Sequence, residues 1–337
     1  MTVGCKFYDL GDLPLTSGQV LRGARLGYQT YGTLSPKGDN VIVMPTFYTG
    51  SHDRNEGYFG PGRALDPARH FIVSINLFGG GISSSPSTSK GQPGADFPDI
   101  SFQDNIRAQH ILLTRELGVH RIALVLGWSM AGCQSYHWAV QYPDMVRAIL
   151  PFCASARTSP HNFVFLEGVK AALCADPVWN NGRYVAQPTE GLRAFGRVYA
   201  GWAFSQAFYR DGLYRQLGYE SIVAVLDDWA EDHATNWDAN DLLCKLGTWQ
   251  RGDISDTPAF KNDFNAALRG IRARTILMPC KQDLYFPPAD NQIEAKEIPN
   301  ALFRPVASDF GHCAANPGND ANFAKELESN ISELLVE

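Results

Sequence analysis

The stretch LGWSMAGCQ, residues 126–134, emerges from an apolar run, RIALVL, and passes into SYHWAVQYP, which has helical character. It sets Ser129 between a strand and a helix, beside a tryptophan. A side chain at such a turn stands clear of the sheet, but the turn crowds the backbone. Small residues two positions before and two after relieve the crowding. Here those positions are Gly127 and Ala131, with Gly132 following. Glycine is usual at the second of them, and Ala131 is a departure that a helix starting there tolerates. The stretch reads as a nucleophile elbow or as an ordinary strand-to-helix turn with Ser129 as helix N-cap. Partners elsewhere in the chain decide between the two.

Outward from this stretch the pattern is regular. QVLRGARLGYQTYG alternates like a half-exposed strand of an early antiparallel hairpin. NVIVMPTF and HFIVSINLF are continuous apolar runs, as buried parallel strands require. Helical spacing follows through Phe102, Ile106, Leu113 and Leu117 to Gly118, then the strand RIALVLG, a helix from about Met130 to Tyr142 and the strand VRAILPFCAS. This alternation predicts an α/β fold with a mostly parallel sheet and helices on both faces. From about Arg157 to Arg269 no buried strand run occurs, and aromatic residues recur at helical spacing, as in GLRAFGRVYAGWAFSQAFY. Residues 1–156 and 270–337 are therefore expected to form the core, and 157–269 a helical cap. Alternation resumes with RARTILMPC, ALFRPVAS and a final helix from about Asp320 to Leu335.

The 337 residues are 45% apolar, ample for a large core. A net charge of −6 without a long basic run argues against nucleic acid and anionic membrane surfaces as partners. The N-terminal MTVGCKFYDLGDL lacks a signal-peptide core, and no apolar run reaches the roughly 18 residues of a membrane span. The seven cysteines form no CxxC pair, which fits reduced thiols and a cytoplasmic location. No H-x-x-x-H, clustered acid set, phosphate loop or dinucleotide loop is present, so no metal or cofactor is expected.

A serine nucleophile needs a base to take its proton, and an acid to orient that base and stabilise its cation. In α/β-hydrolases the chain order is Ser, acid, His, with the last two on loops after late strands. Asp283 follows RTILMPC, and His312 follows ALFRPVAS. Asp309 is a rival acid on the loop of His312, better suited to shaping that turn. The oxyanion is expected to be held by two backbone N–H groups. One is that of Met130, and the other comes from the loop TFYTGSHD, with Tyr48 first choice and Phe47 next.

With their surroundings, these pieces resemble the homoserine O-acetyltransferase family of α/β-hydrolase-fold acyltransferases. YTGSH looks like its L-T-G-S-x-H loop, and GGGISSSPSTS its glycine-rich loop. GWSMAGCQSYHWAVQYPD matches its G-G-S-M-G-G-M-Q stretch, ADPVWNNGRY its cap motif, and DLYFPP and GHC its acid and histidine loops. The resemblance implies Ser129 as nucleophile, His312 as base, Asp283 as acid, an acyl-serine mechanism and a homodimer formed through cap helices. Two departures bear on the substrate. Where the family holds homoserine with an arginine in a T-Y-R-S stretch, this chain has WAFSQ, which assigns Ser205 to the arginine's place. Where it has an aspartate after the histidine, this chain has Cys313. Both charges are missing, so an amino-acid zwitterion would be desolvated without partners. Arg193 and Arg197, on the same predicted helix, are the alternative partners for a carboxylate. The expected pocket holds Phe47, Trp128, Ser205 and Cys313.

The leading expectation is a serine hydrolase acting on an ester or amide of a small, fairly apolar acid. An acyl-CoA-dependent O-acyltransferase with an acceptor other than homoserine shares every catalytic residue and is the alternative. A non-catalytic binding protein on the same fold would not need Ser129, Asp283 and His312 together.

Overall fold

The computed structural model describes residues 4–336. Two strands come first, β1 (Lys6–Pro14) and β2 (Val20–Tyr31), an antiparallel hairpin with many solvent-facing residues. The next four, β3 (Val41–Pro45), β4 (Phe71–Ile75), β5 (Leu124–Trp128) and β6 (Ala148–Phe152), are buried at every position. Such runs are stable only in a sheet covered on both faces. With β7 (Arg274–Leu277) and β8 (Ala301–Phe303) they form one eight-stranded sheet of order β1-β2-β4-β3-β5-β6-β7-β8. The β1–β2 and β2–β4 pairs are antiparallel and all other neighbours parallel.

Helix α1 (Phe102–Ile111) is opened by a reciprocal capping box between Ser101 and Asp104, and runs on into a π-helical turn, Leu112–Glu116. Helix α2 (Met130–Gln141) leaves β5 directly. Between β6 and β7 stand α3 (Pro160–Cys174), α4 (Thr189–Ala203), α5 (Gln206–Arg210), α6 (Ile222–Asn236), α7 (Ala239–Gln250) and α8 (Phe264–Arg269). Residues 157–269 contribute no strand to the sheet. Helices α9 (Pro288–Glu297) and α10 (Ala321–Leu335) lie in the C-terminal part. The fold class and the main alternation match the reading of the sequence. Strand β1 and helix α9 lie beyond it.

The helices of residues 157–269 bury their apolar stripes against one another and against loops at the carboxyl ends of the strands. Gly196 lets α4 lie close on α6, because a Cβ there would stand 2.3 Å from the Trp229 carbonyl oxygen. Tyr48 after β3, Met130 after β5 and Tyr285 after β7 share one apolar cluster with Phe165, Phe195, Tyr199 and Trp249. Each such buried side chain contributes roughly 1.5–3 kcal/mol. The segment between β6 and β7 is thereby fixed over the strand ends.

Candidate active site

Ser129 stands between β5 and α2 with φ 59° and ψ −129°. A non-glycine residue there carries strain of about 1–3 kcal/mol, which its surroundings must hold. They do so through its N–H, which donates to Phe152 O at 3.1 Å, and its carbonyl, which accepts from Cys133 N at 3.0 Å. The neighbouring glycines are needed for space. A Cβ on Gly127 would stand 2.4 Å from Ala131 Cβ, and one on Gly132 would stand 2.5 Å from Ala154 Cβ. The methyl of Ala131 is therefore accommodated because Gly127 has none. The Ser129 hydroxyl makes no capping bond to α2, so its side chain does not serve as the helix cap.

Asp283 lies on the turn after β7. Its Oδ1 accepts from the N–H groups of Tyr285, at 3.1 Å, and Phe286, at 3.0 Å. Its Oδ2 is thereby aimed at His312 Nδ1, 2.6 Å away. Both side chains are buried, and the imidazole packs against Trp128, Tyr285 and Phe286 at ring centroid distances of 5.1, 4.4 and 5.5 Å. A carboxylate on Nδ1 sets the proton there and leaves Nε2 free to act as a base. Asp309, the rival acid, instead accepts from the side-chain amide of Gln282. Asp283 and His312 also form, with Cys153, a group whose potential metal-ligating atoms lie within 4.8 Å of one another. The carboxylate and imidazole already engage each other in it.

Ser129 and His312 line one small cavity of about 40 Å³, together with Tyr48, Tyr199, Ala203, Trp229 and Tyr285. It shares Phe47, Thr49, Trp128, Trp229 and Cys313 with a larger cavity of about 610 Å³, which Arg54, Tyr219, Asp228 and Asp232 also line. Phe47 and Trp128 pack ring to ring at 4.7 Å. Burial pushes the Cys313 thiol up, so it stays neutral. Among the described residues the N–H groups of Met130 and Tyr48 find no acceptor, as oxyanion donors require. Tyr48 is fixed by two bonds to α7. Its hydroxyl donates to Leu242 O at 2.8 Å, and its carbonyl accepts from Lys245 Nζ. Burial pushes the Lys245 ammonium down to about 8, and nearby Asp241 up to about 6.

One expected pocket residue needs correction. Ser205 lines neither cavity, because its hydroxyl caps α5 at Phe208 N (3.0 Å) and donates to Asp309 O. Matching the serine of T-Y-R-S to Ser205 puts Phe204 at the arginine's place, and Phe204 does line the larger cavity. Arg197 and Arg193 are turned outward, paired with Asp227 and with Glu190 and Glu231. Tyr199, Ala203, Trp229 and Lys245 were not singled out in the sequence. Lys245 did leave a signal, as a charge among the apolar residues Leu242, Leu246 and Trp249 at helical spacing.

Residues 39–315 match the model of the α/β hydrolase fold family. The chain is 36% identical to an ethyl acetate hydrolase from Pseudomonas veronii, over 97% of this chain and 94% of that protein. It is 33% identical to a homoserine O-acetyltransferase from Nostoc punctiforme, over 92% and 91% of the two. An acetylester hydrolase from Corynebacterium glutamicum superposes with a TM-score of 0.94 at 33% identity, covering 98% of this chain and 95% of that one. With its sheet order and its glycine-flanked serine turn, the chain belongs to the homoserine O-acetyltransferase-like branch of the α/β hydrolase fold family, and is an esterase-like enzyme of that superfamily.

Proposed function

We propose that the protein is a serine esterase that hydrolyses esters of small, fairly apolar acids. One observation carries this reading: the buried imidazole of His312, hydrogen-bonded to Asp283, lines the same small cavity as Ser129 on its strained turn. Ser129 Oγ attacks the ester carbonyl while His312 Nε2 takes its proton, and Asp283 stabilises the imidazolium. The N–H groups of Met130 and Tyr48 receive the oxyanion. The alcohol leaves with the proton from His312, and a water, activated by the same imidazole, then releases the acid.

The cavity sizes support a division of the substrate. A volume of about 40 Å³ is roughly three times the 10–15 Å³ a cavity of this kind needs to hold one water, which suits an acetyl-sized group. The larger cavity suits the alcohol. The relatives named for acetyl esters agree with this. Residues 157–269 act as the cap, since Tyr199, Ala203 and Trp229 close the small cavity from above Ser129. A homodimer through cap helices and a cytoplasmic location complete the reading. All seven cysteines are free, which fits a reducing compartment.

Acyl transfer from acyl-CoA to an alcohol other than homoserine uses the same residues and is favoured by the acetyltransferase relatives. The test is a series of p-nitrophenyl esters and acyl-CoAs, each with and without added alcohols. The esterase reading expects kcat/KM to fall steeply from acetyl to longer acyl groups, and product acid to account for the ester consumed. A dominant transferred-ester product would establish the transferase instead.

A further inference from the structure

A lysine with 1% of its surface exposed is costly to keep. An ammonium without compensation loses several kcal/mol of hydration. Leucine or methionine would fill the same place on the apolar stripe of α7 at no such cost. The contacts of Lys245 indicate what is gained. Its Nζ donates to the carbonyl of Tyr48 and lies 4.5 Å from the ring centroid of Trp237 and 5.4 Å from that of Tyr48. Asp241, one turn earlier on α7, makes no ion pair with it within 4 Å, and instead accepts from the N–H and hydroxyl of Ser87 at 2.9 and 2.5 Å. The glycine run 79–81 leaves the passage for the side chain. A Cβ on Gly79 would stand 3.3 Å from Lys245 Cγ, and one on Gly80 3.5 Å from Nζ.

We propose that Lys245 is a positioning residue for the oxyanion site: its ammonium pins Tyr48 by the carbonyl so that the Tyr48 N–H stays aimed at the reacting oxygen. The inference rests on the esterase reading, with Ser129 as nucleophile and Tyr48 N–H as oxyanion donor. The Tyr48 hydroxyl bond to Leu242 O holds the same residue at its other end. Helix α7 thus grips the loop after β3 at two points, one of them charged. A charge-assisted bond in a site without competing water is stiff. The bond fixes the Tyr48–Thr49 peptide, and with the hydroxyl bond to Leu242 O it holds the Tyr48 Cα and side chain, so that the N–H of the preceding Phe47–Tyr48 peptide keeps its direction as negative charge develops on the substrate oxygen.

The experiment compares Lys245→Met, Lys245→Gln and Tyr48→Phe with the parent. For each, kcat and KM on p-nitrophenyl acetate, the inhibition constant of a small methyl trifluoromethyl ketone and the thermal midpoint are measured. The ketone forms a tetrahedral oxyanion on the serine, so with Ser129, His312 and Asp283 unchanged in these variants its affinity reports how well that oxyanion is held, without the leaving-group step. Loss of a direct oxyanion donor costs 10²–10³ in kcat, and loss of its support should cost about 10–100-fold. Lys245→Met is expected to lose this in kcat with KM nearly unchanged, and the ketone should weaken by the same factor as kcat/KM. Lys245→Gln, which keeps a neutral donor, should recover part of the loss. Folded Lys245 variants with parental kcat, or a loss confined to KM, overturn the proposal. Should Lys245→Met fail to fold, the same criteria apply to Lys245→Gln. Ser129→Ala separates the two levels. If it retains turnover, the esterase reading falls. If it is inactive while a Lys245 variant keeps parental kcat and ketone affinity, only the role of Lys245 falls.

Discussion

Replacing Asp283 with asparagine should preserve the loop and remove the base. The amide has the carboxylate's shape. Two backbone N–H groups now point at Oδ1 from 3.1 and 3.0 Å, and only the amide oxygen can satisfy them. The amide nitrogen is then forced to where Oδ2 stands, 2.6 Å from His312 Nδ1. A donor at that place needs a lone pair on Nδ1, so the imidazole proton moves to Nε2, the atom that must accept the serine proton. The same exchange in a serine protease triad lowers kcat by about 10⁴, equivalent to about 5.4 kcal/mol of barrier. The fold should survive, since the amide replaces the carboxylate in shape. The assay is kcat/KM for p-nitrophenyl acetate from neutral to alkaline pH, with the thermal midpoint as control. A folded Asp283→Asn variant that loses less than tenfold would refute the assignment of Asp283 as the orienting acid.

Two further outcomes are expected. Acetyl-CoA with millimolar homoserine should give no O-acetylhomoserine beyond background hydrolysis. Phe204 and Cys313 stand uncharged where the resemblance to the acetyltransferases implies charges, and the charges that line the larger cavity are already engaged, Arg54 with Asn316, Asp228 with Tyr219, and Asp232 with Asn236 and Trp237. Chromatography showing product at a rate far above acetyl-CoA hydrolysis would contradict this. Buried Glu294 accepts from Tyr136 OH, Asn291 Nδ2 and Ala156 N, and burial raises its carboxyl from 4.5 to about 7. The native state therefore keeps a proton that the unfolded chain releases between those values. This stabilisation is full below pH 4.5 and is lost as pH rises to about 7, a change of about 3 kcal/mol at the limit. Urea titrations should show the parent losing stability relative to Glu294→Gln across that window, and parallel curves would sink the claim.

What the sequence disclosed was whatever has a local signature. Strands β3 to β6 are buried on both faces, so they read as unbroken apolar runs. Ser129 was marked by Gly127 and Gly132, whose missing Cβ atoms the turn requires. Asp283 and His312 were found because each follows a late strand in the expected order. Strand β1 was missed because its mostly exposed residues carry almost no periodic signal. The match of WAFSQ to the family's stretch places Ser205 beside the mouth, and a sequence match at a helix end does not record which of two neighbouring side chains turns inward. Phe204 faces the cavity while Ser205 turns away to cap α5. Lys245 and Tyr48 meet across 197 residues, and no local pattern records a contact made only by tertiary packing.

The central claim is that Ser129 is the single nucleophile through which all turnover passes. Its most direct test is titration with a fluorophosphonate, following residual esterase activity while mass spectrometry maps the label. One phosphonyl group per chain is expected, on the peptide carrying Ser129, with activity falling to zero in step with labelling and no label on Ser129→Ala. Stoichiometric label on another residue, or activity that persists when Ser129 is fully modified, would contradict it.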